Sequence, residues 1–217
     1  MNSELVADYL QQHPEFFEDH ADMLAAIYVP HPHGGRAISI SERQILTLRE
    51  KCRQLEAKLK ELIQFGEEND AISERLHRIT LAMITARTTE ALLYSIYYNL
   101  REDFAVPHMA LRLWPPAGGN GRAEFEPVSE ESKAFAQSLA LPYCSAHAML
   151  DTQAWFGEAG AHLRSYAYLP LRSDEAFGLL AMASEDPQRF YPEMGTLYLK
   201  RLSELVSAGL SRHLDVA

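Results

Sequence analysis

The spacing of apolar positions sets the stretch from residue 41 to residue 86 apart from the rest of the chain. Apolar side chains recur there at alternating steps of three and four, with one glycine and no proline. This alternation is typical of a coiled-coil seam, and capping boxes at Ser39 and Ser41 favour a helix start just before it. The first half of the seam consists of Ile45, Leu48, Cys52, Leu55, Leu59 and Leu62.

The seam changes phase near residues 62–67. The steps from Leu59 to Leu62 and from Leu62 to Phe65 are both three residues long, and Gly66 follows. Successive short steps overwind a supercoil locally, and glycine is a weak helix former, so we expect a kink or phase break here.

The length of this helix predicts a partner. Forty-six residues of helix span about 69 Å, whereas a core of the remaining ~130 residues has a radius of gyration of about 14 Å. The helix therefore overhangs, and an overhanging apolar stripe needs a cover. We expect a homodimer through residues 41–65, parallel so that Cys52 faces its mate, while residues 67–86 pack partly on their own domain.

Shorter elements surround the long helix. We expect Ser3 to cap a first short helix, Pro14 to open a second, and residues 29–35 to form a loop, because proline and glycine dominate it. After residue 104 the period becomes two, which is typical of strands. The elements expected there are a helix over 87–104, a strand around 108–114, a turn over 115–121, a returning strand over 123–128, a short helix capped by Ser129, strands over 165–171 and 177–184, and a final helix carrying Leu197 to Leu210.

The C-terminal third resembles a GAF domain. The resemblance is carried by residues 168–171 and 177–182, by Phe190, and by the apolar positions of 197–210. Such domains run from a strand ending in Pro-Leu through a polar turn to a glycine-containing strand, a phenylalanine and a long final helix. The resemblance implies an α/β (α+β) fold, with a GAF-like antiparallel sheet flanked by helices over about residues 68–214.

The N-terminal half extends the resemblance. Residues 6–10, 13–17, 30–35, 41–44 and 69–70 are similar to those of a bacterial family of unknown function, which has an N-terminal helical region, a coiled segment and a GAF-like core. The resemblance implies a fold and not a reaction. We therefore expect three parts: residues 1–40 as short helices and a Pro/Gly loop, 41–66 as a dimerisation helix, and 67–217 as the GAF-like domain.

Composition narrows the function classes. The chain has 217 residues, 47% of them apolar, and a formal net charge of −10. Nucleic acid is not expected as a partner, because such binding needs clustered basic residues. No signal peptide or membrane span is evident, so we expect a cytoplasmic protein.

The sequence gives little support to three specific functions: cyclic-nucleotide binding, reduction of methionine sulfoxide, and metal binding by histidines. The cyclic-nucleotide motif needs an acidic pair where Met194 and Gly195 stand. Reduction of methionine sulfoxide needs paired thiols in the core, which holds Cys144 alone. His31 and His33 lie in a proline loop with no further metal ligand at suitable spacing, so no metal site is predicted. Whether the protein uses a cofactor is left unknown.

The strands offer one candidate ligand surface. Aromatic and cationic side chains alternate there with aliphatic ones, and Arg112 is the natural anchor for a carboxylate or phosphate. The candidate residues are His108, Arg112, Trp114, Tyr166 and Tyr168. Alternatively, these side chains simply cover the sheet beneath residues 130–164.

The favoured hypothesis is a non-enzymatic regulatory module that dimerises and binds a small molecule. Two alternatives stay open. One is an enzyme that uses the sheet pocket with Cys144 and His147 as a dyad, and the other is an interaction adaptor without a ligand.

Overall fold

The computed structural model describes residues 2–29, 38–115 and 121–214. The predicted loop that holds His31 and His33 lies outside these ranges, as does most of the predicted turn over 115–121.

The chain divides into two compact units, residues 1–68 and 69–217. The α-helices of the described residues are α1 (Ser3–Gln12), α2 (Glu15–Asp19), α3 (Ala21–Ala26), α4 (Ile40–Thr85), α5 (Thr89–Glu102), α6 (Glu130–Ser138) and α7 (Leu197–Leu214). The strands are β1 (Tyr28–Val29), β2 (Ile38–Ser39), β3 (His108–Leu113), β4 (Tyr143–Ser145), β5 (Ser165–Arg172) and β6 (Ala176–Ser184).

The first unit begins with three short helices and a chain reversal. Asn2 caps α1 by accepting from the Glu4 amide, so the predicted Ser3 cap is wrong by one residue. Strands β1 and β2 pair antiparallel, where a loop and a helix start are predicted. The Ile40 amide donates to the Ile27 carbonyl oxygen at 3.3 Å. This pairing holds the start of α4 beside the end of α3.

Helix α4 has two halves with different surroundings. It runs without interruption through residues 62–67, so the predicted phase break does not end the helix. The seam from Ile45 to Leu62 is exposed, whereas Leu76, Ile79 and Met83 are buried in the core of the second unit. The prediction that the second half packs on its own domain is confirmed.

The second unit is a four-stranded antiparallel sheet in the order β3-β6-β5-β4. Its aliphatic face, which includes Leu111, Leu169 and Leu180, forms one core with α5, α7 and the end of α4. Its other face forms a second core with α6 and with the 3₁₀ turns of Thr152–His162. A Cβ at Gly178 would lie 2.9 Å from the Arg112 carbonyl oxygen, so this close approach of β6 to β3 requires glycine.

The predicted returning strand over 123–128 is wrong. Ala123–Phe125 is a 3₁₀ turn that packs against β3. Arg122 fixes this turn by ion pairs to Glu90 at 3.0 Å and to Glu124 at 3.6 Å. Pro127, which has no amide hydrogen to contribute to a ladder, suits the irregular backbone that follows.

Candidate functional site

The five predicted residues lie on one face of the sheet. His108 and Tyr166 both pair with Ala183 of β6, and Tyr168 pairs with Ala181. Successive side chains of a strand alternate between faces, so Arg112 falls on the same side as these residues. Trp114 packs with Tyr166 and Tyr168 in the second core. The predicted alternation therefore matches the sheet.

Small side chains form the floor of this face. Ala110, Ala181 and Ala183 are buried between the aromatic groups of β5 and the polar groups of β3. The cover comes from residues 148–156, where Trp155 and Phe156 pack on the same core. Because alanine leaves room above the sheet, large side chains of the cover can reach the backbone level.

Arg112 is the most constrained cation of the face. One terminal nitrogen lies 3.0 Å from a carboxylate oxygen of Glu126, and the other donates to the Leu111 carbonyl oxygen at 3.2 Å. The guanidinium carbon lies 5.5 Å from the ring centre of Trp155. Only 12% of the Arg112 side chain is exposed, whereas the Glu126 side chain is 60% exposed. The ion pair therefore has a mostly buried cation and a solvent-facing anion.

Tyr168 is the centre of a hydrogen-bonded network. Its hydroxyl oxygen accepts from the Met149 amide at 2.9 Å and lies 2.9 Å from the Thr152 hydroxyl oxygen. Burial raises the pKa of Tyr168 above its ordinary value. The Tyr166 ring stacks parallel to the Tyr168 ring at 6.2 Å, and its hydroxyl donates to the Leu163 carbonyl oxygen at 3.4 Å. The network fastens the cover to β5.

Of the remaining two candidates, His108 begins β3 and Trp114 directly follows its last residue. The Trp114 indole nitrogen donates to the Ala176 carbonyl oxygen at 2.8 Å. His108 Nε2 lies 4.0 Å from a carboxylate oxygen of Glu185. Four of the five predicted residues thus make hydrogen bonds within this chain, while the contact of His108 is longer than a hydrogen bond.

Cys144 lies on the opposite face of the sheet. It pairs with Ala167 and packs in the aliphatic core. Burial raises the pKa of the Cys144 thiol to about 11, so the thiol stays protonated at neutral pH. The amide of His147 donates to the Ser145 hydroxyl oxygen at 3.2 Å.

Sequence reasoning missed the partners of these residues. Glu126, Thr152 and Trp155 each contact a predicted residue, and none was singled out. Glu126 lies within the wrongly predicted strand over 123–128, and the other two lie in a segment without a clear period. The sequence did contain a signal for a covering turn: the aromatic pair Trp155-Phe156 followed by Gly157. Gly157 takes a positive φ of 58°, which glycine adopts readily in turns.

Other features of the second unit are distinct from this face. A cleft of about 450 Å³ is lined by residues of β5 and α7, including Arg172 and Ser207. Among the described residues, no group of three or more His, Cys, Asp or Glu could hold a metal ion. No described helix is long and apolar enough to cross a membrane.

The architecture is that of a GAF domain. The chain is similar to the GAF domain from a phosphoenolpyruvate-protein phosphotransferase of Coxiella burnetii, with a TM-score of 0.51 and 14% identity over 65% of this chain and 93% of that one. The GAF domain of the Acinetobacter phosphoenolpyruvate-protein phosphotransferase gives a TM-score of 0.50 at 14% identity, over 67% and 96%. At this identity the likeness establishes the fold.

Residues 1–215 match the model of a family described as a protein of unknown function, DUF484, and the chain belongs to that family. The uncharacterized protein YigA of Salmonella typhimurium is 25% identical over 98% of this chain and 92% of its own length. YigA of Escherichia coli is 24% identical over 99% and 93%. The resemblance inferred from sequence, a bacterial family of unknown function with a GAF-like core, is confirmed.

Proposed function

We propose that this protein is a non-enzymatic regulatory module of the GAF type that forms a homodimer through residues 41–65 and binds a small molecule on the aromatic face of its sheet. The observation that carries the proposal is the exposed seam of α4. Leu48, Leu55 and Leu62 are 60%, 67% and 66% exposed. Burying one leucine contributes about 1.5–3 kcal/mol, so six seam positions on each helix offset an association cost of about 4–15 kcal/mol.

Charge favours the parallel orientation of this dimer. With Ile45, Cys52 and Leu59 at heptad position a, Lys51 falls at g and Glu56 at e. In a parallel pair, Lys51 of one copy lies beside Glu56 of the other, which is attractive. In an antiparallel pair g faces g, and Lys51 would lie near a second lysine.

The test of the dimer is substitution of seam leucines in the full chain. Leu55→Glu with Leu59→Glu places four carboxylates in the interface, so we expect monomers in sedimentation-velocity experiments. Glu50→Gln with Glu61→Gln, outside the seam, is the matched control and retains the wild-type dimer. An unchanged dimer in the leucine variant would refute the proposal.

The ligand proposal rests on Arg112. Glu126 is mostly exposed, so a ligand carboxylate or phosphate can take its place against a guanidinium that is already oriented and desolvated. Trp155, whose ring already lies beside the guanidinium, would supply stacking surface. Native mass spectrometry of protein purified from its own host tests this proposal, because a retained small molecule adds a discrete mass to the dimer.

The two alternatives to this proposal are an adaptor without a ligand and an enzyme based on Cys144. An adaptor without a ligand is favoured by the internal hydrogen bonds of four of the five face residues, and a native mass without any added molecule would support it. An enzyme based on Cys144 is disfavoured, since the thiol is buried and protonated.

A further inference from the structure

The N-terminal helices form an acidic arm with an uncovered apolar side. The described part of this arm, residues 2–27, includes α1 and α2, and neither helix contains a buried residue. Leu5 and Tyr9 are 63% and 55% exposed and lie one turn apart on the same side of α1. The first 35 residues contain six acidic side chains and no lysine or arginine. The arm thus combines an apolar stripe with negative charge.

The first half of α4 carries the opposite charge. Residues 43–60 contain six basic and two acidic side chains, a net charge of +4. Lys51 and Lys58 occupy heptad position g, which borders the groove between two paired helices. Ile63 lies at the neighbouring e position, outside the seam, and Phe65 continues the seam past its change of phase; both are exposed. The groove of a paired coil would therefore be basic along its length and apolar at its far end.

The arm has the length and the direction needed to lie along this groove. The β1–β2 pairing reverses the chain, so the arm starts at the beginning of α4. Helices α1 to α3 contain 10, 5 and 6 residues, which together span about 31 Å at 1.5 Å per residue. The same length of α4 extends from residue 40 to about residue 61. By the same count, Leu5 and Tyr9 of α1 would lie beside about residues 55–59 of α4, one turn before Ile63.

We infer that in the dimer this arm clasps the second copy of the chain, lying in the groove between the two coils with its carboxylates against Lys51 and Lys58 of that copy. The inference rests on the proposed dimer, because the groove exists only when two coils pair. Anionic lipid and nucleic acid are disfavoured as partners of the arm, because the arm itself is acidic and would repel them.

Zero-length carbodiimide cross-linking of mixed dimers tests the clasp. Full-length protein labelled with ¹⁵N is exchanged with unlabelled protein, and cross-linked peptides are identified by mass spectrometry. We expect mixed-label links from Glu15, Glu18 or Asp22 to Lys51 and from Glu4 or Asp8 to Lys58. No links are expected to Lys60, which faces outward at position b. Links found only within one label, or no links in an intact dimer, would overturn the clasp. A monomer in sedimentation-velocity experiments would instead refute the proposed dimer.

A matched pair of variants tests the apolar stripe. Leu5→Glu with Tyr9→Glu removes it, and we expect loss of the mixed-label links and a dimer dissociation constant raised about tenfold. Ala7→Glu with Gln11→Glu adds the same charge at the same spacing on the other side of α1 and should leave both unchanged. Circular dichroism confirms equal helix content. Equal behaviour of the two variants would show that the stripe makes no contact.

Discussion

At the residue scale, the sheet face is defined by polar groups that find partners far away in the sequence. Alternation along a strand is local, so the sequence predicts which side chains share a face. The partner of Arg112 is 14 residues away, and that of Tyr168 is 16 residues away. Turns without regular periodicity bring these partners into place, so no local pattern could have predicted the contacts.

Tyr168→Phe tests the network that fastens the cover to β5. The variant leaves the Met149 amide without an acceptor, and an unsatisfied buried donor costs about 1–3 kcal/mol. We expect a lower midpoint in denaturant unfolding. Tyr166→Phe is the matched control, because it removes one long hydrogen bond of 3.4 Å and should have a smaller effect. Equal losses would mean that the network contributes nothing specific.

Tyr97 predicts how stability changes at high pH. Burial, and next the Glu124 carboxylate, raise the pKa of Tyr97 from 10.0 to about 12. A raised pKa means that the folded state holds the proton more tightly, so this contribution is complete below pH 10 and is lost as the pH rises towards 12. We expect the thermal midpoint to fall less steeply over this window in Tyr97→Phe than in the wild type. Tyr94→Phe, an exposed position on the same helix, should retain the wild-type fall.

At the element scale, one apolar pattern has two outcomes along α4. The spacing of three and four predicts the helix from residue 41 to 86, and the structure has it from Ile40 to Thr85. The spacing does not indicate which element packs against the apolar stripe. From residue 72 onward the sheet and α7 bury it, whereas the earlier seam has no cover in the single chain. The hairpin was mispredicted because Arg122 and its two carboxylate partners fix a 3₁₀ turn where the alternation favoured a strand.

Cys52 tests the orientation of the paired helices. It is exposed in the single chain and lies at an a position, where side chains of a parallel pair face each other. Mild oxidation should therefore give a covalent dimer on non-reducing gels. Cys52→Ser should abolish that band, while Cys144→Ser should not, because the Cys144 thiol is buried and protonated. A confirmed dimer that fails to cross-link would indicate an antiparallel or offset coil.

At the scale of the whole molecule, the two units carry separable properties. Residues 1–68 hold the exposed seam and the acidic arm, and residues 69–217 hold the two cores around the sheet. The fold class was predictable because the glycine-containing strand and the final helix are each formed by one uninterrupted stretch of sequence and follow one another along the chain. The identity of a ligand was not, since the face residues are the same for a pocket and for a packed core.

Arg112→Ala separates ligand binding from dimerisation. Of the five described face residues, only Arg112 carries a permanent positive charge. Without its guanidinium, a bound carboxylate or phosphate should be lost from the native mass spectrum. The dimer should persist, because Arg112 lies in the second unit and the seam in the first. Glu126→Gln is the informative counterpart: it weakens the internal competitor for Arg112, so ligand retention should rise. Retention that is unchanged in both variants would place any ligand elsewhere, and absence of a ligand in the wild type as well would favour the adaptor.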